Sequence, residues 1–387
     1  MPPDGAREGG PLRRRPARGR GALSNPAGRF EPVREEPFDD GWAREGEETA
    51  LLPERIPTEV IPDRTKTIIT RNDSPDVPFD RSINPYRGCE HGCTYCFARP
   101  SHAYLGYSPG LDFETRIVAK HKAARLLRVE LRRKGYRPGT LALGSNTDPY
   151  QPVERELKIT RSLLEVLAEA RHPIGVVTKS AMVLRDLDLI APMAEEGLAQ
   201  VMISVTTLDP QLARRMEPRA AAPARRLAAI RSLAKAGVPV GVLASPMIPA
   251  LNDSELEAIL EAAAGAGARS AGYILLRLPH ELKDLFFEWL EANYPTRSGH
   301  VESLLREARG GSLYKARFGE RMRGRGPWAD LLAARFRVAA RRAGLVGRLP
   351  PLRLDLFRPP AAPKDDKPAA PSLFAPPPAA QPEENPA

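Results

Sequence analysis

Cysteine is nearly missing from this 387-residue chain: there are three, all between positions 89 and 96. An odd number packed this tightly excludes a disulfide framework, and in a reducing compartment such a cluster is read as a metal site. Long apolar runs are missing too. No stretch supplies the roughly 20 apolar residues of a bilayer-spanning helix. The arginine-bearing N-terminus has no apolar segment followed by a small-residue cleavage site. The default expectation is a cytoplasmic protein with no membrane partner. No internal repeat is visible. What is present is a hydrophobic fraction of 42%, enough for a sizeable core, in a length that suits one α/β barrel with tails.

The net charge of +10 is unevenly spread. Residues 1–34 carry an excess of five positive charges and residues 311–350 an excess of eight, while the middle of the chain is close to neutral. Basic flanks on a near-neutral core suggest a polyanionic partner and leave the chemistry open.

Residues 1–55, rich in Pro, Gly, Arg and Glu, read as mostly disordered, as does the Pro/Ala-rich tail 359–387. Between them, short apolar runs alternate with amphipathic segments. The candidate strands are Thr140–Gly144, Ile174–Thr178, Val201–Val205, Val238–Leu243 and Tyr273–Leu276, with Ser82–Tyr86 a weaker first strand. Near-continuous aliphatic runs are the mark of parallel strands buried on both faces. Helices are expected over Arg116–Arg133 and Met182–Glu196. Others are expected after Thr160 as a cap, around Leu227, Ile230 and Leu233 with Gly237 closing, and around Leu256, Ile259, Leu260 and Ala263 with Asn252 and Glu255 as a capping box. Six βα units from about 65 to 295 predict a partial (βα)6 TIM-like barrel, with an open doubly wound sheet as the alternative. Strand C-termini then share one face, where sites form in α/β folds. Residues 300–350 read as a basic helical extension.

The cysteines stand in Cys89-Glu-His-Gly-Cys93-Thr-Tyr-Cys96, just after the first candidate strand. Three thiolates on one loop suit three corners of an iron–sulfur cubane and leave a fourth iron open. The alternatives are a zinc site, or an electron-transfer cluster completed by His91.

The spacing C-x3-C-x-aromatic-C after a first strand resembles the radical S-adenosylmethionine (SAM) superfamily. The fuller stretch Asn84-Pro-Tyr-Arg-Gly-Cys-Glu-His-Gly-Cys-Thr-Tyr-Cys-Phe-Ala-Arg99 resembles the spore photoproduct lyase group. So do Gly144-Ser-Asn-Thr-Asp-Pro-Tyr150, Thr178-Lys-Ser180 and Ser204-Val-Thr-Thr-Leu-Asp209. The resemblance implies a [4Fe–4S] cluster on Cys89, Cys93 and Cys96, and SAM on its open iron. Reductive cleavage of SAM then yields a 5′-deoxyadenosyl radical, fed by an external flavodoxin- or ferredoxin-type donor. By position it implies that Tyr95 packs near the adenine, and that Ser145, Lys179 and Ser204 hold the SAM amino acid moiety. A lysine ending a buried strand also needs an anion on physical grounds; Asp186 is the alternative partner. Asp148 reads as a turn cap or as a further SAM or substrate contact. The lyase group uses one more cysteine to return a hydrogen atom, and this chain has no fourth. Tyr86, Tyr104, Tyr107, Tyr150 and Tyr273 are the candidate substitutes. The same shortage disfavours methylating or sulfur-inserting chemistry.

Residues 311–350 combine ten Lys/Arg with Tyr314, Phe318, Trp328 and Phe336, and Trp328–Ala343 reads as a helix. Cations with aromatics suit nucleic acid, DNA above all, or else a helix packed on the barrel. Arg353-Leu-Asp-Leu-Phe357 resembles the peptide by which bacterial repair proteins dock on the sliding clamp; the alternative is a strap packed on the barrel. The leading expectation is thus a radical SAM enzyme acting on nucleic acid. RNA or a protein side chain as substrate is the second, and a non-enzymatic nucleic-acid-binding protein with a structural metal is the third.

Overall fold

The computed structural model describes residues 17–30, 55–345 and 348–362. In chain order the strands are β1 (Glu59–Pro62), β2 (Ile69–Arg71), β3 (Arg81–Ile83), β4 (Tyr86–Arg87), β5 (Arg116–Ala119), β6 (Leu141–Leu143), β7 (Ile174–Thr178), β8 (Ala199–Ser204), β9 (Val240–Met247) and β10 (Ser270–Leu275). The larger sheet has the order β10-β9-β8-β7-β6-β3-β2. Its first six members are parallel, and β2 is antiparallel to β3. Helices cross between successive parallel strands, among them Ala123–Leu131, Ile159–Glu169, Leu187–Glu195, Pro223–Lys235 and Leu256–Gly265. The result is a mixed α/β fold with a parallel sheet, consistent with a partial barrel. β1, β5 and β4 form a separate small sheet.

The core lies where the sequence pattern puts it. Val176, Val201, Ile203, Val240 and Val242 are fully buried between the sheet faces, and Leu163, Leu164, Leu167, Ile230, Leu233, Ile259 and Leu260 cover them from the helices. Burying each such side chain stabilises the fold by ~1.5–3 kcal/mol. The register of β7 and β8 sets Thr178 opposite Ile203, so Lys179 and Ser204 leave adjacent strands side by side. Gly144 ends β6 with φ +87°, and a Cβ there would lie 2.2 Å from the Val177 carbonyl oxygen, so only glycine lets the two strand ends approach this closely.

Several expectations need correction. Arg116–Arg133 is not one helix: Arg116–Ala119 is β5 and the helix starts at Ala123. The run Arg-Ile-Val-Ala is β-branched at its centre and pairs with the exposed β1. Met182–Glu196 divides into a 3-10 turn, Ala181–Asp186, and the helix Leu187–Glu195. Thr160 lies inside its helix and donates to the Pro149 carbonyl at 2.5 Å. Asn252 and Glu255 form no capping box: the Asn252 amide bonds the backbone of Thr206, Pro246 and Ile248, and Glu255 accepts from Thr207 and Leu208. Ser82–Tyr86 is split between β3 and β4.

The flanks are also more ordered than composition suggests. Residues 17–30, expected to be disordered, bury Ala17, Arg20, Ala22 and Leu23. The rest of 1–54 lies outside the described residues. The basic helix spans Pro327–Arg342, and its Leu332, Ala339 and Ala340 join the main core. Leu331 and Val338 of the same helix stay exposed. The strap arrangement holds for Arg353–Phe357. The Arg353 amide donates to Gly197, and Phe357 packs between the rings of Tyr136 and His172. Clamp docking would require Leu356 and Phe357 to leave that seat. No helix among the described residues is long and apolar enough to cross a membrane.

Candidate functional site

The cysteine loop leaves β4 through Gly88, at φ +80°. Its backbone is fastened from several sides. Cys89 donates to the Phe113 carbonyl at 2.8 Å and Thr94 to the Met216 carbonyl at 3.0 Å. The buried Arg99 guanidinium holds the Cys93 carbonyl at 2.9 Å and those of Pro109 and Gly110, and pairs with the buried Glu114. Glu114 in turn accepts the amides of Gly21 (2.8 Å) and Ala22 (2.9 Å). Arg20 closes the arrangement on the Glu114 carbonyl. Residues 17–30 therefore lie across the cysteine loop, a role that composition gave no sign of.

Cys89 and Cys93 are buried and Cys96 is half-buried. Burial, then the charges of Asp148, Cys93 and Cys96, push the Cys89 thiol well above its usual value. Burial and the Glu217 carboxylate raise Cys93, opposed by Lys179 and Arg226. Thiols that disfavour one another's ionisation are stabilised as thiolates by a cationic group between them. The donor set is three thiolates, which suits three corners of an iron–sulfur cubane and leaves its fourth iron free of protein ligands. Among the described residues no group of three His, Cys, Asp or Glu converges as a single metal ion would require. His91 faces Asp148, its Nδ1 3.4 Å from Oδ2.

Opposite the loop stand the strand ends. Lys179 donates from Nζ to Ser204 Oγ at 2.8 Å, and Ser204 donates to the Ser245 carbonyl at 3.1 Å. The ammonium lies 5.7 Å from the Tyr95 ring centroid and 3.9 Å from Glu217 Oε1. Lys179, Ser204 and Tyr95 are thus brought together. Ser145, at the end of β6, is held instead by the Asn84 amide at 3.2 Å. Asp186, the alternative partner of Lys179, pairs with Arg161 and Arg185. Asp148 is structural in this arrangement. It accepts from Tyr150 N (2.9 Å), Thr178 Oγ1 (2.7 Å) and Lys179 N (2.8 Å). Burial opposes its ionisation, but the His91 imidazole and these hydrogen bonds outweigh that and hold its carboxyl at about 2.

Sequence reasoning missed the charged group beneath. Glu217 is fully buried and accepts from Tyr95, from Thr206 at 2.7 Å and from Arg226, itself fully buried. Burial alone would raise the Glu217 carboxyl; Arg226, Lys179 and the hydrogen bonds overcome it and hold it at about 2. Arg226 also donates to the Ser204 carbonyl at 3.1 Å. Tyr95 therefore spans the gap between the cysteine loop and β8, with its hydroxyl fixed on Glu217 and its ring beneath Lys179. Of the candidate hydrogen donors, Tyr86 is bonded to Glu154 and Tyr104 lies at the surface beside Phe30.

Fold and site together define a class: an α/β protein with a three-cysteine loop facing cationic and hydroxyl side chains at the C-terminal rim of a parallel sheet. Comparisons identify it further. A family model described as Radical SAM superfamily matches residues 83–263. An uncharacterized protein of Mycobacterium bovis is 39% identical over 232 residues, covering 59% of this chain and 68% of the relative. An uncharacterized protein of Methanocaldococcus jannaschii is 28% identical over 213 residues, covering 55% and 76%. Among solved structures, spore photoproduct lyase complexed with dinucleoside spore photoproduct superposes with a TM-score of 0.51 at 18% identity, over 73% of this chain and 78% of that one. A point mutant of the same lyase gives 0.52 at 19%. The chain belongs to the radical SAM superfamily, and it shares its fold with spore photoproduct lyase.

Proposed function

We propose that this chain is a radical SAM enzyme of nucleic acid, with DNA and lyase-type repair chemistry as its first field. It would hold a [4Fe–4S] cluster on Cys89, Cys93 and Cys96 inside a partial (βα)6 barrel. The observation that carries the reading is the pairing of a three-cysteine loop with the Lys179–Ser204 couple across from it. When bound, the cluster and SAM would supply one-electron cleavage of a carbon–sulfur bond and a carbon radical able to take hydrogen from a substrate.

The chain's own residues do the rest. Lys179, whose nearest carboxylate Glu217 is 3.9 Å away and already held by Arg226, has charge to spare for the SAM carboxylate. Ser204 orients that ammonium. Ser145 stands at the neighbouring strand end; its Oγ accepts from the Asn84 amide, which leaves its own proton to donate to a ligand's polar groups. Tyr95, locked on Glu217, forms an apolar wall beside the cysteines. Arg99, Glu114 and residues 20–22 cover the loop and exclude water from it. No cysteine lies outside the loop, so no thiol stands ready to return a hydrogen atom. The basic flanks and the dinucleoside lesion bound by the structural neighbour both favour a nucleic-acid substrate.

The test uses anaerobically reconstituted protein. Iron and sulfide are assayed, then 5′-deoxyadenosine after dithionite is added with SAM. The expected result is about four irons per chain and 5′-deoxyadenosine release, both lost in Cys93→Ala. Zinc without iron, or a full cluster that leaves SAM intact, refutes the proposal.

A further inference from the structure

β10 and β2 are the two ends of the larger sheet, and residues 309–325 bridge them. Leu275 of β10 donates its amide to the Met322 carbonyl at 2.8 Å. On the far side Gly319 donates to Asp76 Oδ1 at 2.8 Å, and Arg321 reaches Asp76 and Ser74, all in the turn between β2 and β3. The bridge is strongly basic: six Lys/Arg against Glu320. Asp76 is taken by Arg321, and Glu320 is shared by Arg317 (3.2 Å) and Arg325 (3.0 Å), two side chains that remain largely exposed. Arg323 is exposed and lies over the Tyr273 ring, 4.8 Å from its centroid.

This basic bridge is tied to the cysteine loop. Arg277, just past β10, places its guanidinium 4.7 Å from the ring centroid of Phe97, the residue after Cys96, and 3.7 Å from the Met322 sulfur. Phe97 itself is 41% exposed. Among the described residues no carboxylate pairs with Arg277, and its buried Nε has no hydrogen-bond partner. A second guanidinium, the fully buried Arg309, sits close by. It holds only the carbonyls of Glu320 and Leu276, and its own Nε is also unpartnered. Burial and then the Arg277 charge depress Arg309 to about 10. Two guanidiniums crowded together, each with an unpartnered Nε, leave an unmet demand for an anion. Phe318, half exposed with Arg321 over it at 4.6 Å, adds a second ring on the same bridge.

We propose that this bridge is the strand-binding rim of the enzyme: Arg277, Arg317, Arg323 and Arg325 take successive phosphates of a single nucleic-acid strand, and Phe97 and Phe318 stack on its bases. The inference rests on the nucleic-acid reading above and names the surface that reading left unspecified. A strand seated here passes Phe97, and so delivers a base beside the cysteine loop.

The test is fluorescence anisotropy of a labelled single-stranded 12-mer, as DNA and as RNA of the same sequence, with the full-length protein over a salt series. Arg277→Gln/Arg323→Gln is expected to weaken binding about 10-fold or more. It should also flatten the log–log salt slope by about 1.4, as for two lost phosphate contacts on a single strand. Arg317→Gln/Arg325→Gln repeats the test on two side chains that are themselves largely exposed. Phe318→Ala is expected to cost about 5-fold or more with the slope unchanged, the signature of lost stacking. Arg341→Gln/Arg342→Gln, on the helix, is expected to bind as the wild type does. If the rim variants bind normally while the helix variant loses affinity, the rim is wrong and the nucleic-acid reading stands. A wild type that binds neither strand at low salt overturns both. Preference for the RNA strand, lost in the same rim variants, supports the rim and changes the substrate.

Discussion

The buried Glu217–Arg226 pair allows a prediction whose sign can be worked out in both directions. The Glu217 carboxyl sits at about 2, below its ordinary 4.5. A depression of that size corresponds to ~3 kcal/mol of stability. It is fully present above pH 4.5 and is lost as pH falls toward 2. Replacing Arg226 with Met removes the largest opposing charge and leaves the carboxylate in the core with Lys179, 3.9 Å off, as the remaining cation. Removing one partner of a buried pair costs ~3–5 kcal/mol. Burial then dominates, so the folded-state value of Glu217 rises above 4.5. A raised carboxyl favours the folded state below its unfolded value and loses that contribution as pH rises. The Arg226→Met protein should therefore gain stability relative to wild type as pH is lowered from 7 to 5. Urea denaturation of the metal-free, reduced protein at both pH values measures this. The double variant Arg226→Met/Glu217→Met should recover most of the loss at pH 7. A loss under about 1 kcal/mol in Arg226→Met, or a loss that grows on acidification, would refute the reasoning.

Two further outcomes follow from the same geometry. Lys179→Met should weaken SAM binding about 10- to 100-fold in anaerobic calorimetry, the worth of one charge-assisted hydrogen bond at ~1.5–3 kcal/mol; unchanged affinity would remove Lys179 from the SAM site. Gly21→Ala would place a Cβ 1.9 Å from the Gly92 carbonyl oxygen, so either the N-terminal segment or the cysteine loop must move. Limited trypsin digestion should then cut faster at Arg18, Arg20 or Arg29 than in wild type, with iron loading reduced; equal digestion rates would show that the segment does not cover the loop.

The readable parts of the fold were those where one physical signal ran without competition. β7 is predicted at its observed limits because Ile174–Thr178 is a short, mostly aliphatic and β-branched run flanked by turn residues. Cys89, Cys93 and Cys96 stand out from their spacing alone, and the structure places them on one loop after β4. Lys179 stood out because a lysine at the end of an apolar strand needs an anion. What escaped notice depends on contacts far apart in sequence. Arg226 reads as one more arginine on the polar face of a helix, and only the packing of Pro223–Lys235 on β8 turns it toward Glu217. Arg20 and Gly21 sit in a segment whose composition argues for disorder. Their order comes from Glu114, more than 90 residues away, whose own burial was invisible because a four-residue helix carries no periodicity. β5 reads as helix in the sequence because its apolar residues fit either period over so short a run.

Those failures share a direction. Most residues missed by local reasoning are charged groups turned inward, and these converge on the cysteine loop: Arg99 and Glu114 behind it, Arg20 across it, Glu217 and Arg226 under Tyr95. Local rules place charges in solvent because isolated burial costs several kcal/mol per ion. A protein that buries at least five around one short loop keeps them only if their mutual hydrogen bonds fix something that apolar packing would leave loose. Here the fixed object is the loop backbone itself, through the carbonyls of Cys93, Pro109 and Gly110 and the amides of Gly21 and Ala22. On the proposed function, three thiolates would have to hold their mutual positions to accept a cluster, and side-chain packing alone does not set backbone position to that tolerance. The buried charge is best explained as the means of holding the cysteine loop in one conformation.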